Sequence, residues 1–297
     1  MSNAMEWLQF VLAPQMINGL SIGVAVVLMA LGLTIIFGLL DVINMAHGEF
    51  YAIGAYLAVA LLATGMSFWW ALVLTPLLMA VLGFVTERGL IQRVFHSKDR
   101  HTLTLLLTFG VAVVLEDALK IAFGANPLRL EAPISGATDM VGLFFPNYRL
   151  FVMLFGGALI AAVWLLVFRT SLGAIVRAAA FDRNMSASLG VPVQLVYAGT
   201  FAFGVALAGI AGVLLAPIYS VFPTMGKDFV LIAFSVVIIG GMGSIKGALL
   251  AGLLLTQVQS ISSLYISPVW SDPLLFGIMV LVLMWRPQGL FGKLGSA

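Results

Sequence analysis

From Ile17 to Leu40 the chain passes through 24 residues without one ionisable side chain. Eight more apolar segments follow: Phe50–Thr64, Phe68–Val85, Leu103–Phe123, Leu150–Phe168, Val191–Leu215, Phe229–Gly240, Ala248–Leu264 and Leu274–Trp285. A helix needs about 20 apolar residues to cross the hydrocarbon core of a bilayer. Of the 297 residues, 62% are hydrophobic and 9% charged, against roughly 25% charged in a soluble domain, so this chain cannot cover a water-facing surface. The expected fold is an all-α polytopic membrane bundle of eight or nine transmembrane helices with one or two broken or re-entrant segments. Phe229–Gly240 sets the uncertainty in number. It is short and runs into Gly240-Gly241-Met242-Gly243, so it reads as a tilted span or a half-helix.

The few charges mark the topology. Arg88, Arg93, Lys98 and Arg100 share one loop, and Arg169, Arg177 and Arg183 another. Lys246 follows the glycine run, and Arg286 and Lys293 follow the last span. Placing these on the cytoplasmic side leaves only Arg129, Arg149 and Lys227 opposite, with Lys120 near a helix end. The bias predicts an outside N-terminus and an inside C-terminus in a multi-pass membrane protein. Gly124–Arg149 and Pro217–Asp228 become the substantial external loops, rich in Pro and Gly and suited to docking. The net charge of +2 therefore speaks for membrane topology and not for nucleic acid. Ser2-Asn3-Ala4 before Met5 reads as an expression scar, leaving 5–297 as one transmembrane domain.

Several chemistries are missing. The chain has no cysteine, which excludes thiolate catalysis and Cys-ligated metal. It has no phosphate-binding loop of the G-x-x-x-x-G-K-[ST] kind, so ATP hydrolysis is not expected of it. His47-Gly48-Glu49 lacks the second histidine of a zinc motif, and His96 and His101 lie in a basic loop. No catalytic residue, metal or cofactor is expected. The Asn184-Met185-Ser186 sequon falls in a loop expected to be cytoplasmic.

Three places carry candidate function. Asp41, Asn44, His47, Gly48 and Glu49 interrupt two membrane-grade segments. Polar groups at that position are costly in lipid and suit a transport site. The same residues also suit an ordinary surface turn, with Asn44 capping the next helix and Glu49 in its first turn. Residues 169–190 form a second candidate. Thr170 or Ser171 can cap a short helix, and Arg177, Asp182 and Arg183 give it a charged face before Gly190 and Pro192. That shape suits a cytoplasmic partner, or a helix lying on lipid. Glu116 and Lys120 stand one turn apart. They line a polar path or mark the interfacial end of their helix.

The stretches GLTIIFGLLDVINMAHGEFYAIGAYLA, GAIVRAAAFDRNMSASLG with FGVALAGIAGVLLAP, and GGMGSIKGALLAGLLL with WRPQGLFGK resemble the permease subunits of branched-chain amino acid ABC importers, of the H-type. The order and spacing of the blocks agree from about Ile17 to Lys293. Lys246 departs from the usual pattern. The resemblance implies a membrane core of two permeases, this chain with an M-type partner or a homologous copy. It further implies two cytoplasmic ATPase subunits and an extracytoplasmic solute-binding protein. Arg177, Ala178, Asp182, Arg183 and Gly190 would belong to the helix that couples to the ATPase. Asn44, His47, Gly48 and Glu49, with Gly240, Gly241 and Gly243, would border the translocation path. Cargo would be branched-chain or hydrophobic amino acids, or, as relatives allow, urea, short amides or other amino acids. An ion-coupled secondary transporter using Glu49, Glu116 or Asp117 is the more distant alternative. A membrane enzyme built on His47 and Glu49 and a scaffolding protein are further ones.

Overall fold

A computed structural model describes residues 7–95, 97–140, 143–267 and 270–292. The proposed scar, His96 and Lys293 lie outside them. Eleven helices of interest follow in order: α1 (Ala13–Leu40), α2 (His47–Ala63), α3 (Phe68–Thr86), α4 (Arg100–Phe123), α5 (Asn147–Arg169), α6 (Ser171–Phe181), α7 (Arg183–Ser188), α8 (Val193–Leu215), α9 (Met225–Gly240), α10 (Ile245–Ser262) and α11 (Ser271–Trp285). A π turn at Leu8–Leu12 leads into α1, and another at Glu87–Ile91 extends α3. Six helices are long and apolar enough to cross a membrane, whereas α2 has 17 residues and α9 has 16. The apolar run Phe229–Gly240 is thus the larger part of a helix that also holds Lys227 and Asp228.

Burial separates centre from rim. The spanning windows of α1 and α8 are 83% and 78% buried, those of α4 and α5 only 22%. Small residues let the central backbones meet. A β-carbon on Gly32 would strike the Gly204 carbonyl, and one on Gly54 would fall 2.5 Å from the Gly209 Cα. Gly32, Gly54, Gly204 and Gly209 thus bring α1, α2 and α8 into backbone contact.

The two ends of the bundle differ. At one end Arg100 pairs with Asp41 at 3.3 Å, and Arg183 lies over the Phe95 and Tyr197 rings. At the other, β1 (Ala137–Met140) and β2 (Leu143–Pro146) form an antiparallel hairpin with Ala137 opposite Pro146. Leu128 and Val221 exchange two backbone hydrogen bonds of 2.8 Å, which tie the two long loops of this end together. The Tyr148 hydroxyl anchors α5 here by donating to the Leu214 carbonyl at 2.8 Å.

Candidate functional site

α1 stops because Asp41 turns left-handed, at φ 53° and ψ 40°, while its N–H still donates to the Phe37 carbonyl at 2.8 Å. Asp and Asn tolerate that conformation better than other side chains. The chain then runs unwound to Ala46 and climbs back into the bundle. His47, the first residue of α2, meets the carbonyl of Met29 through Nε2 at 3.0 Å. Met29 lies eleven residues before Leu40, so α2 starts about 16 Å inside the end of α1 at 1.5 Å per residue. The unwound stretch thus leads from Asp41, which meets Arg100 at one end of the bundle, to a helix start buried inside it.

Backbone at that depth needs protein partners. Thr108 of α4 supplies one: its Oγ1 accepts from the Met45 N–H at 3.1 Å. Asn44 supplies another, its Oδ1 accepting from the Ala46 N–H at 3.1 Å. Asn44 thus braces the approach to α2, whose own N-cap residue, Ala46, offers no side chain for capping. Because a carbonyl only accepts, His47 carries a proton on Nε2. Asn44, His47 and Glu49 are 1%, 0% and 2% exposed. Thr108 was invisible in the sequence, because a threonine in a span carries no signal of its own.

The Gly240–Gly243 break is of another kind. Gly240 packs on the backbone of Gly247 and joins α9 to α10. Gly241 has φ 99° and abuts Gly289 and Gly292, and the Leu290 and Phe291 N–H groups donate to Ile239 and Gly240 at 2.7 and 3.1 Å. Gly243 has φ 78° and faces Gly38. These glycines hold the chain's last described turn against the end of α9.

Between the two breaks lies an apolar cavity of about 190 Å³. Leu33 and Phe37 of α1, Ile43 and Met45 of the unwound segment, Leu105 of α4, and Phe234, Val237, Ile238 and Met242 line it, and it is open on one side. The expected site residues are its neighbours and not its walls. Asn44, His47, Gly48, Glu49, Gly240, Gly241 and Gly243 do not line it. Gly48 instead fits against the Gly226 carbonyl, and the Glu49 carboxylate lies beside Gly226 at the start of α9. The cavity walls are thus apolar residues that alternate with, or stand beside, the polar ones the sequence marked.

Nearby, α4 and α9 are joined by charge. Lys227 Nζ lies 2.6 Å from Glu116 Oε2, and Lys120 Nζ lies 2.7 Å from Glu116 Oε1 and 3.3 Å from Asp117. The expected pairing of Glu116 with Lys120 holds. The long-range partner Lys227 sits 111 positions later, beyond any local sequence pattern.

The 169–190 segment forms two helices with the expected cap. Thr170 Oγ1 accepts from the Gly173 N–H at 3.1 Å, and Asp182 Oδ1 accepts from the Met185 N–H at 2.9 Å to start α7. Each residue of the expected charged face has a local partner, and Arg177 and Asp182 remain exposed. Arg177 donates to the Val167 carbonyl and lies over Phe168, Arg183 turns onto Phe95 and Tyr197, and Asp182 is spent as a cap. Apolar side chains project beside them: Phe181 is 94% exposed, Leu189 76% and Met185 63%. Ala178 is exposed, and Gly190 makes the left-handed turn at φ 84° toward α8.

A family model described as the branched-chain amino acid transport system permease component matches residues 15–283. The high-affinity branched-chain amino acid transport system permease protein LivH of Escherichia coli is 31% identical over 300 residues, covering 94% of this chain and 95% of that protein. The corresponding BraD protein of Pseudomonas aeruginosa is 30% identical over 296 residues, with the same coverage. Among solved structures, PsaBC from Streptococcus pneumoniae in complex with Fab superposes with a TM-score of 0.51 at 15% identity, covering 97% of this chain and 96% of that one. That likeness concerns the fold. With the family model spanning most of the chain and LivH matched nearly end to end, this chain belongs to the permease family of branched-chain amino acid ABC transport systems.

Proposed function

We propose that this chain is half of the membrane core of a binding-protein-dependent ABC importer. It would pair with an M-type permease or a second copy, above two ATPase subunits and below a solute-binding protein. The observation that carries the proposal is the apolar cavity bounded by both chain breaks. A dry cavity of about 150 Å³ accepts a benzene-sized solute, so about 190 Å³ suits a branched aliphatic side chain. Its walls come from α1, α4, α9 and the unwound segment, and helices that move relative to one another would change its access.

The permease forms no covalent bond with its cargo. ATP binding would close the ATPase dimer and draw on α6 and α7. Their exposed Phe181, Met185 and Leu189 would seat in an apolar groove of the ATPase. The end carrying Arg100 and Arg183 then faces the cytoplasm, and the hairpin end faces the binding protein.

The test is reconstitution of the chain with its co-purifying subunits in proteoliposomes. Leucine uptake should require ATP and the binding protein and should ignore ionophores. Uptake that collapses with the ion gradient, or proceeds without ATP, would replace this function by ion-coupled transport.

A further inference from the structure

The charged cluster at the hairpin end of α4 and α9 remains unused by the cavity. We infer that the Glu116–Lys227 pair is a latch that a zwitterionic amino acid opens by exchanging its own charges for those of the pair. The inference rests on the transport function proposed above.

The geometry is as follows. Lys227 is in the first turn of α9, and Glu116 lies 16 residues after the start of α4. Eleven residues further along each helix toward the opposite end come Ile238 and Leu105, both walls of the apolar cavity. Latch and cavity are thus two stations about 16 Å apart along the lengths of α4 and α9. The bridge joins the helices at the upper station, with Lys227 Nζ at 2.6 Å from Glu116. Glu116 is buried while Lys227 and Lys120 reach out to solvent. The pair is therefore open to arriving solute on its cationic side.

A second observation points to a ligand. Glu49 is 2% exposed, its Oε2 has no hydrogen-bond partner, and its carboxylate lies against Gly226, next to Lys227. The cluster thus holds one more buried carboxylate than its lysines directly bridge among the described residues. A buried carboxylate such as Glu116 is costly to strip of its cations unless it finds a new partner. An α-amino acid offers both at once, an ammonium for Glu116 and Glu49 and a carboxylate for Lys227 and Lys120. A neutral urea or amide offers neither. The latch would then admit zwitterions and stay closed to uncharged solutes of the same shape.

The absence of cysteine makes the test direct. Ile121→Cys on α4 and Leu231→Cys on α9 are both at exposed positions and take spin labels in the assembled transporter in nanodiscs. The inter-label distance is read with no solute, with millimolar L-leucine, and with 4-methylpentanamide. Leucine should lengthen the distance by about 1–2 Å, the scale of a helix shift, and the amide should not. Glu116→Gln and Lys227→Met should hold the long distance without solute, and Lys227→Arg should restore the short one. Equal responses to leucine and amide, or a distance unmoved by leucine or by either neutral variant, would overturn the latch. Leucine uptake by the same labelled complex, reconstituted in proteoliposomes, separates the two levels. If uptake is absent, the proposed function fails. If uptake is intact while the distance disobeys, only the latch fails.

Discussion

Gly48 of α2 and Gly226 of α9 meet backbone to backbone, so closely that a β-carbon on Gly48 would collide with the Gly226 carbonyl and fall 2.7 Å from the Val230 Cβ. The collision is with main chain, which cannot swing aside as a side-chain tip can. Gly48→Ala should therefore push α2 from α9 and cost about 2 kcal/mol or more, in the range of overpacked cores. Gly157→Ala, whose β-carbon meets nothing within 4 Å, should be neutral. Thermal unfolding of the two variants in detergent checks the contrast. Equal melting temperatures would show that the α2–α9 contact is not tight.

The two caps of the α6–α7 segment yield a local prediction. Thr170→Ala and Asp182→Ala each remove an oxygen that accepts a backbone N–H and should each cost ~1 kcal/mol. The loss should stay in the segment. Hydrogen exchange should quicken several-fold in α6 for the first variant and in α7 for the second, with α8 unchanged. Uniform quickening would mean that the segment unfolds with the whole bundle.

Docking on the ATPase is expected to depend on apolar area and little on charge. Phe181→Glu places a charge where the most exposed large side chain of α6 now stands. It should lower ATPase co-purification about tenfold, the effect of ~1.4 kcal/mol, with membrane insertion unchanged. Ala178→Ser, at an exposed position on the same helix, should have little effect. Retention of the ATPase by the Phe181 variant would move the docking surface elsewhere.

Filling the cavity should stop transport without disrupting assembly. Val237 forms part of its wall, and Val237→Trp would occupy much of the ~190 Å³. Leucine uptake should fall by about tenfold or more, while partner co-purification and ATP binding persist. Unchanged uptake would exclude the cavity from the path.

Orientation is tested with single cysteines in this cysteine-free chain. Phe144→Cys in the hairpin and Phe181→Cys on α6, both exposed, should react in opposite manner with a membrane-impermeant maleimide on intact cells. Phe144→Cys should label and Phe181→Cys should not. The reverse pattern would invert the topology.

By itself the sequence determined that the chain is made of helices suited to lipid, where they begin and end within a few residues, that a break begins at Asp41, and that residues 169–190 start with a capping hydroxyl at Thr170 or Ser171. Each is a local property, set by hydrophobic run length, a capping hydroxyl or the scarcity of charge. Only the tertiary structure decided which side chains face the cavity. Ile43 and Met45 line it while the conspicuous Asn44 and His47 turn inward to hold Ala46 and Met29. It likewise turned Arg177 and Arg183 onto the bundle and left Phe181 outside. It also brought Lys227 to Glu116 across 111 residues. The physical reason is common to all three. In a chain that is 62% hydrophobic, nearly every position is apolar enough for lipid or core. Hydropathy then cannot rank faces, and the partners of the few polar groups are chosen by which helices pack together.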